Sequence, residues 1–474
     1  MRHCAFGLAV FATALVTSGC RDYDRFTRGG DLSASVDLGD QDLTDPPDGA
    51  DLAGDAGNRD AAMSDASMCP APTVLDLGFP PITTENQTTL GGSSTKPTQV
   101  VVGHFVNATE LDVVTLTPGA AGAAQLHLLR SNGGPSLQYV TGGLMPFCAS
   151  QIVAGHVENV SLSQPAPDQL VVSCDCGVYT TETCGVRSYE WSSAGAVTPG
   201  LPALLDFLDL GLVRPRSIAL ARLDTGDARD SLIIGQNGGT FGNVATYAIG
   251  PLGKFMTASA QLSPVLPAFD TNALAIGSFN SSADSTPDVA ALSTTGASPV
   301  LTIVTRSATG VMKIASGTPA LPAINVTGMA VGDLDQDMLP DLLFTTVSGD
   351  NASLLVQNKL ASLFNATTIA MGGISYAPTL VDWNRDGTLD IFFWRQGDGG
   401  GTNLTAVHPR LLWNHGALNF ETIAAPVAFD RTSFVVNPGY LLSPQGTASD
   451  VDGNCTPELV FVEGQSSRVS AFRR

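Results

Sequence analysis

The sequence is poor in basic residues and in long apolar runs. Lys and Arg together number 23 against 44 Asp and Glu, which gives a formal net charge of −21. A protein that binds nucleic acid needs cationic side chains to displace counterions from phosphates, so this balance argues against a nucleic-acid partner. Beyond the first twenty residues, no stretch of about 18 apolar residues occurs, and we expect no later segment to cross a membrane.

Patterns of long helices are also missing. No stretch of useful length repeats apolar residues at helical spacing, whereas the 474 residues include 50 Gly and 29 Pro and only 7% aromatics. Hydrophobic residues make up 43% of the chain, which excludes a wholly disordered protein, and the low charged fraction of 14% leaves a surface of small polar residues. We therefore expect an all-β protein.

The N-terminus is typical of a bacterial lipoprotein signal. Residues 1–19 carry a basic Arg2, an apolar core and small residues that lead to Cys20. The letters TSGC resemble a lipobox, in which the cysteine becomes the lipidated first residue of the mature chain. This predicts a protein of the bacterial cell envelope that is attached to the membrane only through Cys20. An ordinary cleaved signal is the alternative.

Residues 20–68 differ in character from the rest of the chain. They contain twelve aspartates among Ala, Gly, Leu and Pro, and no aromatic residue follows Phe26. Such a segment cannot bury enough apolar surface to offset its chain entropy, so we expect a disordered, self-repelling tether. The folded domain is then predicted to span residues 69–474.

A unit of about 58 residues recurs seven times in that domain. Each unit has an apolar strand, a short polar loop, an acidic residue and a second apolar strand, followed by one or two further strand patterns. The acids are Asp112, Asp168, Asp230, Asp288, Asp341, Asp390 and Glu458. Four short strands repeated seven times predict a seven-bladed β-propeller, with an eight-bladed ring or two β-sandwiches as alternatives.

Closure of the ring is predicted from the two ends of the domain. The last unit supplies only three strands before Arg474. The segment from Thr73 to about Leu90, which includes TVLDLGF, precedes the first unit. We predict that this segment provides the outer strand of the seventh blade, because pairing the two ends removes an open edge.

Three units carry oxygen-bearing residues at alternate positions of the loop between their first two strands. Positions 1, 3, 5 and 9 of these loops hold acids or asparagines, and position 7 offers a backbone carbonyl as a further ligand. The predicted ligands are Asp333, Asp335, Asp337, Leu339 and Asp341 in unit five, Asp382, Asn384, Asp386, Thr388 and Asp390 in unit six, and Asp450, Asp452, Asn454, Thr456 and Glu458 in unit seven.

Carboxylates that converge in this way would repel one another unless a cation joined them. Calcium accepts six to eight oxygens in flexible geometry, magnesium demands a stricter octahedron, and zinc would require His or Cys. Calcium is therefore the predicted cofactor, and polar turns that bond only their own backbone are the alternative. Units one to four keep only parts of the pattern, with His104 and His156 at the first position of units one and two.

These loops, together with the hairpin LLWNHGALNFETI from Leu411, resemble FG-GAP/VCBS repeats, the units of the integrin alpha-chain propeller. The resemblance extends over residues 73–474 and is specific in units five to seven. It implies a seven-bladed propeller with calcium in loops between strands, often used for adhesion or ligand binding. It does not identify a ligand.

The cysteines suit an oxidising compartment. With Cys4 removed in the signal and Cys20 lipidated, six remain. A local bridge between Cys176 and Cys184, a bridge between Cys148 and Cys174, and a third between Cys69 and Cys455 across the closure are predicted. A zinc cluster is the rival interpretation.

No motif for catalysis is evident. The chain contains no GxSxG, no HExxH and no glycine-rich loop that leads into a helix. The leading hypothesis is a calcium-stabilised envelope lipoprotein that binds a protein or glycan and is not an enzyme. A polysaccharide lyase or glycosidase on a propeller scaffold, and a purely structural envelope component, are the alternatives.

Overall fold

The computed structural model describes residues 84–473, with internal gaps. The gaps are residues 91–95, 107–109, 132–135, 156–167, 179–182, 192–201, 224–229, 238–241, 251–253, 258–259, 267–270, 280–286, 295–298, 308–310, 316–320, 322–325, 347–350, 359–362, 397–406, 425–445, 452–455 and 463–466. The predicted signal, Cys20, the tether, Cys69, His156 and Cys455 therefore lie outside the described residues. Within them, no helix has the length and apolar composition that crossing a membrane requires.

Short β-strands account for the regular structure of the described ranges. They are β1 (Thr84–Thr89), β2 (Gln99–Gly103), β3 (Asp112–Thr117), β4 (Gln125–Ser131), β5 (Leu137–Leu144), β6 (Gln151–Gly155), β7 (Gln169–Cys174), β8 (Cys184–Glu190), β9 (Ala203–Gly211), β10 (Arg214–Ala221), β11 (Ser231–Asn237), β12 (Gly242–Tyr247), β13 (Gln261–Leu262), β14 (Ala273–Gly277), β15 (Asp288–Ser293), β16 (Val300–Arg306), β17 (Met312–Ile314), β18 (Val326–Gly332), β19 (Asp341–Thr346), β20 (Asn351–Asn358), β21 (Leu363–Ala370), β22 (Ile374–Val381), β23 (Asp390–Gln396), β24 (Val407–Asn414), β25 (Phe420–Ala424), β26 (Gly446–Ser449), β27 (Glu458–Val462) and β28 (Arg468–Arg473).

The strands form four-stranded antiparallel sheets, which we call blades. Blade 1 is β2–β5, blade 2 is β6–β9, blade 3 is β10–β13, blade 4 is β14–β17, blade 5 is β18–β21, blade 6 is β22–β25, and blade 7 follows the order β1-β28-β27-β26. The innermost strand of each blade contacts the innermost strand of the next, and β26 contacts β2. The all-β propeller predicted from the sequence is confirmed.

The strand β1 lies at the C-terminal end of the segment predicted to complete the last unit. Thr84 to Thr89 pair antiparallel with Arg473 to Arg468 of β28. The strand is the polar sequence TENQTT, whereas TVLDLGF lies outside the described residues. Because an outer strand needs only a backbone ladder on one side and solvent on the other, it does not require an apolar sequence.

Most residues of the inner strands are buried. The inner strands of blades 1, 4 and 5, which are β2, β14 and β18, are buried at every residue. Both faces of such a strand pack against neighbouring blades, which explains why its sequence is a continuous apolar run rather than an alternating one. The core is therefore a set of apolar layers between blades.

Side-chain amides join consecutive inner strands where no backbone ladder exists. In blade 1, Gln99 Nε2 donates to Ser150 O at 2.6 Å, and Gln99 Oε1 accepts from Ile152 N at 2.9 Å. In blade 2, Gln151 makes the same two bonds to Arg216 O and Ile218 N of blade 3. These glutamines fix the register between blades, and each amide both donates and accepts a hydrogen bond across the gap between two blades.

Two disulfides brace blade 2. Cys148 bonds Cys174 and Cys176 bonds Cys184, as the sequence predicted. Between them, Asp175 is buried and accepts hydrogen bonds from Arg214 and Arg216 of blade 3. Burial alone would raise the pKa of Asp175, but the two guanidinium groups hold it below its usual value.

Candidate metal centre

The loop of blade 5 connects β18 to β19 and contains the acids of unit five. Asp333 Oδ1 accepts from Asp337 N at 3.0 Å, and Asp333 Oδ2 accepts from Met338 N at 2.7 Å. Asp335 Oδ1 accepts from Asp337 N at 3.2 Å. The acids at positions 1 and 3 therefore bind the backbone at positions 5 and 6, which curls the chain around their side chains.

The fifth and ninth positions complete the loop of blade 5. Asp337 Oδ1 accepts from Leu339 N at 2.8 Å, and Asp341 Oδ2 accepts from Leu334 N at 2.8 Å. Asp341 is fully buried at the start of β19. One of its oxygens thus anchors the entry of the loop to its exit.

The loop of blade 6, between β22 and β23, repeats this pattern at the same positions. Asp382 accepts from Asp386 N and Gly387 N, both at 2.9 Å, and Asn384 Oδ1 accepts from Asp386 N at 3.1 Å. At the later positions, Asp386 Oδ1 accepts from Thr388 N at 2.8 Å and Asp390 Oδ2 accepts from Trp383 N at 3.0 Å. Two loops separated by 49 positions in the sequence therefore fold identically in their hydrogen bonding.

Both loops use left-handed backbone at positions 4 and 6. Gln336 and Met338 have φ of 65° and 68° in blade 5, and Arg385 and Gly387 have φ of 64° and 87° in blade 6. These conformations turn the chain tightly, and in blade 5 the carboxylates of positions 1, 3 and 9 converge. At position 6, glycine adopts this conformation without strain, whereas Met338 does not.

In each loop, the surroundings raise the pKa of some of the acids and so disfavour their charged form. Burial, together with the charges of neighbouring loop carboxylates, raises the pKa of Asp333 to about 6. The same causes raise the pKa of Asp382 to about 7 and that of Asp390 to about 8. A positive charge inside each loop would relieve this repulsion.

The geometry of blade 5 fits a calcium ion. Asp333, Asp335 and Asp341 each offer a carboxylate oxygen, and these oxygens lie within 4.8 Å of one another. Two oxygens that bind one calcium ion at about 2.3 to 2.6 Å are at most about 5 Å apart, so the spacing of the cluster is compatible with a single ion. The donors are all oxygens, which suits calcium better than zinc.

The two loops are joined to each other. Gln336 Nε2 of blade 5 donates to Thr388 Oγ1 of blade 6 at 2.7 Å. Asn414, at the end of β24 and fully buried, donates through Nδ2 to Leu334 O at 2.7 Å and to Leu389 O at 3.1 Å. One amide thus holds a carbonyl from each loop, so the two loops form a single structural unit.

The loop of blade 7 is only partly described. Asp450 and Glu458 are buried, and Val451 N donates to Glu458 Oε2 at 2.8 Å, as in blades 5 and 6. Thr456 lies just before β27, whereas Asp452 and Asn454 fall outside the described residues. The ligand set predicted for this loop therefore remains a prediction.

The earlier blades use the repeat acid for structure. In blade 1, Val106 N donates to Asp112 at 3.0 Å, and in blade 4, Phe279 N and Arg306 N both donate to Asp288. The acid of blade 2 reaches across to the preceding blade, where Asp168 Oδ2 accepts from His104 N at 2.7 Å. His104 therefore has a structural contact at the position that an aspartate takes in blades 5 and 6.

Sequence reasoning missed the residues that support the loops from the third strand. The sequence patterns did not single out Asn414, which donates to both loops, or Arg130 and Arg473, which lie beside Asp112 and Glu458. A search for basic residues opposite the repeat acid on the third strand would have identified the two arginines, whereas Asn414 lies one position further along its strand.

Residues 333–393, which contain both loops, match the model of the FG-GAP-like repeat family. No curated protein matches the chain.

Proposed function

We propose that this chain, whose fifth and sixth blades carry the FG-GAP-like repeat, is a calcium-stabilised propeller of the bacterial cell envelope that binds a protein or glycan ligand. The observation that carries the calcium assignment is the pair of loops with the same hydrogen bonds, in one of which three carboxylate oxygens lie within 4.8 Å of one another. A hydrogen-bond pattern repeated in two oxygen-rich loops, with converging carboxylates in one of them, is better explained by a bound ion than by unrelated turns.

The residues that would hold the ions belong to blades 5 and 6. They are Asp333, Asp335, Asp337, Asp341 and the carbonyl of Leu339 in one loop, and Asp382, Asn384, Asp386, Asp390 and the carbonyl of Thr388 in the other. A bound calcium ion would supply the positive charge that the buried carboxylates lack. The protein's own part is to fix the loops, through Gln336, Asn414 and the backbone bonds described above.

A binding role is supported by the scaffold. Propellers with this repeat present many loops on their two faces, and loops on a rigid framework are common binding sites. The sequence adds a lipobox-like segment at Cys20 and an acidic tether at 20–68, which would hold the propeller at the envelope. We infer a binding rather than a catalytic role from the absence of any catalytic motif in the sequence.

Thermal unfolding with and without calcium tests the cation. At a calcium concentration of about 100 times the dissociation constant, each site adds about 2.7 kcal/mol to the free energy of unfolding. We expect a chelator to lower the melting temperature. Asp335→Ala and Asp386→Ala should each reduce the calcium-dependent shift, whereas Asp209→Asn, an exposed acid of blade 2, should not. Identical melting curves in calcium and chelator would contradict the calcium assignment.

Array binding tests the ligand class. The purified domain, residues 69–474, is applied in calcium to glycan arrays and to arrays of envelope proteins. We expect a specific signal that weakens for the Asp335→Ala and Asp386→Ala double variant. Blank arrays with folded, calcium-loaded protein would count against a binding module.

Fatty-acid labelling of cells tests the anchor. We expect the wild-type chain to take up label and to fractionate with membranes, and Cys20→Ser to do neither. A wild-type chain that is released without label would contradict the lipid anchor.

A further inference from the structure

The acid at position 9 is buried in nearly every blade, and a buried carboxylate needs a compensating charge or several hydrogen bonds. The exposed fraction of the residue is at most 1% at Asp112, Asp168, Asp288, Asp341, Asp390 and Glu458. Backbone N–H groups satisfy part of this need in each case described above. The blades differ in the side chain that the third strand places opposite the acid.

In blade 7 that side chain is an arginine. The register Leu459↔Phe472 places Arg473 opposite Glu458. Arg473 Nη2 lies 3.5 Å from Glu458 Oε1, and the two side chains are 14% and 1% exposed. The carboxylate at position 9 of this loop therefore already has a positive partner from its own blade.

Blade 1 has the same arrangement. Asp112 pairs with Arg130 in the register of β3 and β4. Arg130 Nε donates to Asp112 Oδ1 at 2.8 Å, and Asp112 is fully buried. This blade has His104 where blades 5 and 6 have the first aspartate, so its loop lacks the calcium pattern while its acid remains neutralised.

No basic residue stands at this register position in the other blades. Extending the registers of the second and third strands places Trp191, Ile249, Thr305, Val356 and Trp413 opposite the acids of blades 2 to 6. In the two blades with complete acid loops, 5 and 6, the residue opposite the acid is therefore Val356 or Trp413 and not an arginine.

We propose that arginine takes the place of the cation in blades 1 and 7, so that the loop of blade 7 binds no calcium although its sequence carries the ligand pattern. A guanidinium within ion-pair distance of Glu458 would repel a divalent ion at the same carboxylate, and it already neutralises the single charge of that carboxylate. Taken with the proposed function, on which this inference rests, the loops of blades 5 and 6 then bind calcium and that of blade 7 does not.

Metal stoichiometry is the first test. Bound metal is removed from the protein with a chelator, and the protein is then dialysed against calcium. Its calcium content is measured by inductively coupled plasma mass spectrometry. We expect Asp335→Asn and Asp386→Asn each to lose one ion relative to the wild type, and Asp452→Asn to lose none. The loss of one ion in Asp452→Asn would overturn the proposal.

A double-mutant cycle in chelator tests the arginine independently of calcium. Arg473→Met should lower the melting temperature by several degrees in the wild-type background and much less in the Glu458→Gln background, because it strands a buried carboxylate only in the former. Arg130→Met and Asp112→Asn form the matched double-mutant cycle in blade 1. If a variant of blade 7 does not fold, this second cycle tests the same role of the arginine. Equal shifts in both backgrounds would refute the role of the arginine.

The two tests separate this inference from the proposed function. A wild-type chain that binds no calcium at all refutes the calcium assignment of blades 5 and 6, and the double-mutant cycles then decide the role of the arginines alone.

Discussion

Asn414 offers the sharpest test of how the two acid loops are held together. Its Nδ2 donates to Leu334 O of blade 5 and to Leu389 O of blade 6, and its Oδ1 accepts from Gly416 N at 3.1 Å. The side chain has no exposed surface. Replacing it with alanine removes all three bonds and leaves two loop carbonyls without this donor.

The expected loss follows from these contacts. A neutral hydrogen bond contributes about 1 kcal/mol net, and a buried acceptor that loses its partner adds about 1 to 3 kcal/mol. Gly416 is accessible enough to bond water instead, so the main loss lies at the two carbonyls. We expect Asn414→Ala to lower the free energy of unfolding by about 3 to 5 kcal/mol.

Urea denaturation measures this loss. The midpoint and slope are compared for wild type, Asn414→Ala and Asn414→Asp, in calcium and in chelator. Asn414→Asp keeps the size of the side chain but sets an acceptor against two carbonyls, so it should be at least as destabilising. Asn365→Ala, an exposed asparagine of β21, is the control and should change the free energy by less than about 0.5 kcal/mol.

A loss below about 1 kcal/mol for Asn414→Ala would refute the reasoning, because it would mean that the two carbonyls find other donors at little cost. A loss that vanishes in calcium would also contradict it, since Asn414 is not among the proposed ligands and its bonds are independent of the ion.

Two further changes test local strain and burial. Met338 is 82% exposed and has left-handed backbone. Met338→Gly should therefore raise the free energy of unfolding by up to about 1 kcal/mol, whereas Met338→Ala, which keeps the Cβ, should not. Equal effects of the two variants in urea denaturation would contradict strain at this position. Burial lowers the pKa of His127, in β4, to about 4 from 6.5, so the unfolded chain takes up the proton first. Relative to His127→Leu, the wild type should therefore lose about 3 kcal/mol of its free energy of unfolding as the pH falls from 7 to 4, and should lose none above pH 7. If the free energies of unfolding of the two proteins changed in parallel with pH, His127 would not be buried as a neutral group.

The local features of this protein could be predicted from its sequence. The acid loops of blades 5 and 6 were recognisable because their contacts join residues only two to seven positions apart, so the spacing itself carries the geometry. The disulfides Cys148–Cys174 and Cys176–Cys184 were predictable for a similar reason, since each joins neighbouring segments of one region.

Contacts between distant segments could not be predicted in detail. The segment from Thr73 to about Leu90 was expected to pair with the last strand, and its residues Thr84–Thr89 do so, but the sequence did not show which residues of the segment form the strand. Hydrophobicity identifies strands that pack on both faces, and it carries no signal for an outer strand that is held mainly by its backbone.

The sequence by itself determined the repeat, the all-β class and the oxygen-rich loops, because each depends on residue types at short, regular spacing. Only the tertiary structure decided which side chain meets which loop. It brings Asn414 to a carbonyl 80 positions earlier and sets Arg473 against Glu458, since strand register and the stacking of blades, rather than local spacing, determine these contacts.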